Sequence, residues 1–220
     1  MRRRKFIEFL GVAVVSASAG AGAGYFVSEY ERSRAAKVWL GDTTEQNLKN
    51  AFSGESQAHV RYTLFANRAE EEGLGNVARL FTAITFAEQV HAGNHFKILS
   101  HLKEGSATFA VAGFGPGDTS KNIDIAIDGE TFEITEMYPA YKEKAIRENA
   151  LDAELSFSRA LEAEKAHVAL FNGAKETVDS GQDMRDAKIY VCPVCGNVFV
   201  GTPPALCPIC STPEGKFKIY

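Results

Sequence analysis

"EQVH", residues 88–91, stands in a stretch that should be the inside of a helix. Val77, Phe81 and Ile84 before it, and Ile98 and Leu102 after it, recur at the steps of three and four that mark a buried helical stripe; Glu88, His91 and His95 fall on the same stripe. The interruption is repeated at "EKAH", residues 164–167, where Glu164 and His167 divide Ala153, Phe157 and Ala160 from Phe171 and Ala174. A third stripe, Leu48, Phe52, Glu55, His59, Tyr62 and Ala66, carries Glu55 and His59. One unpaired carboxylate buried in this way costs on the order of several kcal/mol, so several at matching depth require a shared counter-charge. A cation, or a pair of cations, meets that need and takes the imidazoles as ligands.

Residues three apart on a helix point the same way, so each E-x-x-H presents a carboxylate and an imidazole together. One copy would be weak; two copies 76 residues apart, at corresponding depth, indicate a duplicated helix pair. The first helix opens at the capping-box spacing Thr43-Thr44-Glu45-Gln46 and ends near Gly73 and Gly75. The second runs from a cap at Asn76 to about His101, and a Gly-rich connection is expected over residues 105–129. The third is expected over residues 132–148, with Pro139 in its first turns or at a kink, and contributes Glu133 and Glu136. The fourth runs from about Leu151 to Val178, followed by a linker at Ser180-Gly181-Gln182-Asp183.

The predicted fold is therefore an all-α, ferritin-like four-helix bundle spanning residues 41–180. A Glu from each of two helices plus E-x-x-H from each of the other two is the ligand pattern of ferritin-like di-iron and di-manganese proteins; this sequence resembles it, with one extra third-helix carboxylate. His59 and His95 are expected to be hydrogen-bonded core residues, and His101 a solvated helix end. Tyr62 and Tyr141 read as core aromatics with bonded hydroxyls, with contact to the metal site as the alternative.

All four cysteines lie in two C-x-x-C pairs, Cys192 with Cys195 ("CPVC") and Cys207 with Cys210 ("CPIC"). Short loops of this kind wrap four thiolates round one metal, so residues 188–220 are expected to form a small four-cysteine, rubredoxin-like knuckle domain rather than a disulfide framework. Zinc there would be structural and redox-silent; iron would move one electron.

Charge is distributed unevenly along the chain. The first 40 residues hold seven Lys/Arg against three Asp/Glu, leaving 17 against 25 in the rest, so the body carries a net −8 and a nucleic-acid partner is not expected. "MRRRKF" followed by an uncharged, Gly/Ala/Ser-rich run from Phe9 to Ser28 reads as an address. Arg3, Arg4, Lys5, Phe6 and Ile7 resemble the core of a twin-arginine export signal. Residues 1–28 are thus expected to act as an export signal or membrane anchor, placing the protein outside the cytoplasm or at the membrane. Twenty uncharged residues are also about long enough to span a bilayer.

Taken together, "GESQAHVRY" (Glu55, Tyr62), "AEQVHA" (Glu88, His91), "EITEMYPAY" (Glu133, Glu136, Tyr141), "EAEKAH" (Glu164, His167) and the paired C-x-x-C motifs resemble the rubrerythrin family over nearly all of the chain after about residue 40. The resemblance implies a non-haem di-iron peroxidase that reduces hydrogen peroxide to water, with electrons relayed by a rubredoxin-like iron at Cys192, Cys195, Cys207 and Cys210. It implies Glu55 and Glu133 as terminal ligands, with Glu88 and Glu164 bridging or lying beside the irons. Glu136 and His91 would exchange with redox state, and His167 would hold the other iron. Tyr62 and Tyr141 would hydrogen-bond carboxylates around the site. It further implies an electron-donor reductase or small redox protein as partner, and a homodimer in which one subunit's relay serves the other's bundle across long linkers. A ferritin-like ferroxidase or iron-handling protein is the alternative reading.

Overall fold

A computed structural model describes residues 40–105, 113 and 115–220; the segment read as an export signal lies outside them. Helix α1, Thr44–Glu71, begins where the Thr43 hydroxyl accepts the Gln46 N–H at 3.1 Å, and stops at Gly73, whose φ of 77° a side chain would oppose. Helix α2, Gly75–Ile98, runs back beside it. Its cap is not Asn76. The carboxylate of Asp183, beyond the fourth rod of the bundle, takes the Asn76 and Val77 N–H groups at 2.9 and 3.1 Å. A negative group from the linker thereby serves the positive end of α2 and ties the linker down.

The third rod starts earlier than its sequence pattern predicts. Helix α3 is Thr119–Phe132, opened by Asp118, whose side chain accepts the Lys121 N–H at 2.8 Å. Ile123 and Ala126 face inward, so the expected loop gives up its last part to helix. A π-helical turn, Glu133–Met137, then joins α3 without a break to helix α4, Tyr138–Arg147. Pro139 stands one residue past the π turn, after Tyr138, whose N–H reaches back five residues to the Glu133 carbonyl. The widened turn lies where a proline ring would otherwise press on the carbonyl four residues earlier. Helix α5, Leu151–Asp179, completes the four rods.

Three short strands follow, β1 (Ile189–Val191), β2 (Val198–Val200) and β3 (Lys218–Ile219), in an antiparallel sheet of order β2-β1-β3. Ile189, Val191 and Val198 join the same apolar core as Tyr62, Phe65, Phe81 and Phe171 of the bundle. The strands therefore sit against their own bundle, and the linker is short and pinned, by Asp183 and by an Arg79–Asp186 pair at 2.6 Å. Among the described residues no helix is long and apolar enough to cross a membrane.

Candidate metal centres

Each rod of the bundle delivers a carboxylate to one buried volume. Glu55 comes from α1, Glu88 and His91 from α2, Glu130 from α3, and Glu164 and His167 from α5; none is more than 2 % exposed. They form two quartets, Glu55-Glu88-His91-Glu164 and Glu88-Glu130-Glu164-His167, and in each the potential ligand atoms lie within 4.8 Å of one another. Glu88 and Glu164 belong to both. Two adjoining cation positions sharing two carboxylates is the arrangement that this overlap describes.

The imidazoles are placed from both ends. Nδ1 of His91 lies 2.7 Å from Glu164 and 3.2 Å from Glu88; Nδ1 of His167 lies 2.6 Å from Glu164, 3.3 Å from Glu88 and 3.5 Å from Glu130. Their Nε2 atoms point the other way, to the Cys195 carbonyl at 3.0 Å and the Gly196 carbonyl at 3.2 Å. A backbone carbonyl only accepts, so Nε2 carries the proton in both rings and Nδ1 is left to face the carboxylates. The rings stack, with centroids 5.7 Å apart.

Two tyrosines fix two of the carboxylates. Tyr62 donates to Glu130 at 2.8 Å and Tyr138 donates to Glu55. Several atoms of the cluster make no hydrogen bond despite full burial: Glu55 Oε2, Glu88 Oε1, Glu130 Oε2, both Glu164 oxygens and His167 Nδ1. Close approach without hydrogen-bond geometry, among so many buried carboxylate and imidazole atoms, fits a pair of divalent cations better than it fits a network of protein hydrogen bonds.

The sequence pattern placed the third-rod residues one turn too late. Glu136 is exposed and belongs to neither quartet, whereas Glu130, which that reading left in the loop, is 2 % exposed and belongs to one. Glu133 is part of the neighbourhood: some of the residue reaches the surface, but burial and the charges of Glu55 and Glu164 push its carboxyl well up. Tyr141 is buried but its hydroxyl meets Asn50; the tyrosine on Glu55 is Tyr138. The capping spacing at Asp118 and the inward pair Ile123 and Ala126 were the available signals of the earlier start. His59 bonds the Thr85 carbonyl at 2.9 Å, His95 bonds Tyr138 and Ser156, and His101 is exposed.

The four cysteines form a second centre, free of disulfides, with sulfurs within 4.8 Å of one another. Its two loops match. The N–H of Gly196 bonds the Cys192 carbonyl at 2.9 Å and that of Ser211 bonds the Cys207 carbonyl at 2.8 Å, and both residues have positive φ, 77° and 61°. Ser211 shows that the turn tolerates a side chain. Gly196 is required for another reason: a Cβ there would lie 2.2 Å from His91 Nε2. Three of the cysteines are buried and Cys210 is half-buried. A tetrahedral thiolate site for zinc or iron is what these atoms can hold.

A four-helix bundle enclosing a shared carboxylate–imidazole cluster, with a cysteine knuckle on its flank, defines a ferritin-like metalloprotein carrying a rubredoxin-like module. The rubrerythrin family model matches residues 46–175, and the chain belongs to the rubrerythrin family. It is 40 % identical to Rubrerythrin-2 of Clostridium acetobutylicum, over 80 % of this chain and 96 % of that one. It is 35 % identical to Nigerythrin of Nitratidesulfovibrio vulgaris, over 84 % and 89 %. A solved structure of nigerythrin in its fully reduced, all-ferrous state superposes with a TM-score of 0.74 at 34 % identity, covering 82 % of this chain and 88 % of that one.

Proposed function

We propose that this protein is a non-haem di-iron peroxidase that reduces hydrogen peroxide to water and protects against oxidative stress. The observation that carries this reading is the double engagement of His91 and His167. Each ring has Nδ1 in the carboxylate cluster and Nε2 on a carbonyl of the first cysteine loop, so a single imidazole separates the two centres. Membership of the rubrerythrin family supports an oxidoreductase, and the all-ferrous nigerythrin supports iron as the metal.

In this reading Glu55, Glu88, His91, Glu130, Glu133, Glu164 and His167 hold two irons and the four cysteines hold one. Two adjacent irons, when bound there, would supply the two electrons that breaking an O–O bond requires. The protein's own part is to keep that chemistry dry and ordered. Tyr62 and Tyr138 fix the orientation of Glu130 and Glu55, and the Nε2–H groups of His91 and His167 anchor the knuckle against the bundle. An electron-donor reductase or small redox protein would meet the knuckle at its half-buried Cys210. Export by the basic leader and assembly as a homodimer complete the proposal.

Anaerobically purified protein should contain about three irons per chain, from the two quartets and the single four-cysteine site. It should show the visible charge-transfer bands of ferric tetrathiolate and consume peroxide when a reductant is supplied. Iron-loaded protein that consumes no peroxide, or that oxidises Fe(II) and accumulates mineral independently of its cysteines, would overturn the reading.

A further inference from the structure

The two cysteine loops repeat each other in backbone and differ in one side chain. The Cys192 N–H bonds the Asn197 carbonyl at 2.9 Å, and the Cys207 N–H bonds the Thr212 carbonyl at 2.8 Å. Asn197 and Thr212 therefore hold the same place, each following its loop's second cysteine by two positions. Across the loops the sulfurs pair at 3.5 Å, Cys192 with Cys210 and Cys195 with Cys207. That is close to the edge of about 3.8 Å that a tetrahedron with metal–sulfur bonds of about 2.3 Å requires. At the shared place the side chains part company. The Asn197 amide oxygen, though buried, makes no hydrogen bond, whereas the Thr212 hydroxyl lies 3.0 Å from Cys210 Sγ.

The three buried sulfurs meet backbone N–H groups: Cys192 those of Val194 and Cys195, Cys195 that of Asn197, and Cys207 those of Ile209 and Cys210. Cys210, the half-buried one, meets a side chain. A thiolate bound to metal has no proton to give, so the hydroxyl must be the donor. Thr212 is only 8 % exposed, its carbonyl is held by the Cys207 N–H, and its branched side chain is stiff, so the hydroxyl stays aimed at the sulfur.

We propose that Thr212 is a positioning residue of the cysteine centre, whose hydroxyl donates to the metal-bound Cys210 thiolate and thereby raises the reduction potential of iron held there. Reduction adds one electron and no proton, breaks no bond, and leaves the four thiolates and their iron one charge more negative. A hydrogen bond to sulfur strengthens with that charge and so favours the reduced form. Thr212 acts on the outward-facing sulfur, where an electron-donor protein would approach. This rests on the relay reading, and the test separates the two.

The full-length chain is loaded with iron as wild type, Thr212→Val and Thr212→Ser, and titrated with dithionite in the presence of mediators, each step read at the tetrathiolate bands. Valine keeps the shape and loses the hydroxyl; serine keeps the hydroxyl. In Thr212→Val the bands should persist while the reduction equilibrium moves about tenfold toward the ferric form, which is about 59 mV for one electron. Thr212→Ser should stay near the wild type. Valine at the wild-type potential, or serine displaced as far as valine, would overturn the proposal. A second arm needs neither iron nor a variant that folds. In the wild-type chain loaded with NMR-active cadmium, the Thr212 hydroxyl proton should be protected from exchange and scalar-coupled to the metal; a freely exchanging, uncoupled hydroxyl overturns the hydrogen bond itself. A chain that shows the shift in potential but consumes no peroxide would overturn the peroxidase reading and leave the role of Thr212 standing. Cysteines that take cadmium but no iron would overturn the relay, and the tuning with it.

Discussion

Among the described residues, five carboxylates share the bundle's interior, yet they divide into two kinds. Burial first, then the charges of Glu88 and Glu164, push Glu55 well above the ordinary carboxylate range, and the same causes act on Glu130. Burial and Glu55 do so for Glu133. Glu164 goes the opposite way: burial would raise it, but His91 and His167 together hold it well below. Both imidazoles are raised in return, Glu164 outweighing their burial. In the absence of metal, therefore, protons on Glu55, Glu130, Glu133 and the two rings do part of a cation's work. Raised groups stay protonated until pH climbs through their elevated values, so a cation must displace those protons, and affinity strengthens as pH rises. Calorimetric titration of zinc into the metal-free chain should show net proton release, seen as a heat that varies with the buffer's ionisation enthalpy. Buffer-independent heat would contradict it. The choice of Glu130 over Glu136 is tested just as directly. Glu130→Ala should weaken one bundle metal about tenfold or more, since even loss of an outer partner of a ligand costs that much, whereas Glu136→Ala should leave metal content unchanged.

The third rod shows which features of an element a sequence can display and which it hides. E-x-x-H on α2 and on α5 was readable because both helices are regular through their ligands, so three-residue spacing translates directly into a shared face. The π turn at Glu133–Met137 breaks that translation: it carries an additional residue per turn, and the faces before and after it are out of step with any 3.6-residue wheel. Placing the helix start near residue 132 left Glu130 outside it, and the carboxylate pair and the tyrosine all slid by three, from Glu130, Glu133 and Tyr138 to Glu133, Glu136 and Tyr141. The Asp183 cap on α2 was hidden for a different reason, because its partner lies 107 residues away from Asn76. Removing the π turn tests its purpose. Deletion of exposed Thr135 should return the rod to α-helix and rotate one half against the other by about 100°. Glu130 and Tyr138 can then no longer both face the cluster. Far-ultraviolet circular dichroism should stay close to that of the wild type while bundle metal falls by at least one equivalent; full retention of both would show that the turn only accommodates Pro139.

At the scale of the molecule, the organising feature is that bundle and knuckle share a core and meet at two imidazole–carbonyl bonds. A sequence shows the length of a linker but not that Asp183 and Asp186 fasten it to α2. With the knuckle held on its own bundle, close approach is the quantity that matters, and Gly196 controls it. In Gly196→Ala, the new methyl would fall 2.2 Å from the Nε2 of a His91 whose other nitrogen is committed to Glu164 and Glu88, so the ring has no room to yield and the loop must lift. Ser211, at the matching turn of the second loop with φ 61°, supplies the control, because Ser211→Ala keeps a side chain on the same backbone with no imidazole above it. The backbone strain of the first change is about 1–2 kcal/mol; the functional loss should exceed what that strain explains. On the proposed di-iron reading, reduction of the bundle metals through the cysteine site should slow about tenfold or more in Gly196→Ala, by stopped-flow absorption, and stay at the wild-type rate in Ser211→Ala. With iron loaded at the cysteines, the tetrathiolate spectrum should be intact in both. Equal rates in the two variants would mean that electrons enter the bundle by some route other than the face where His91 and His167 touch the knuckle.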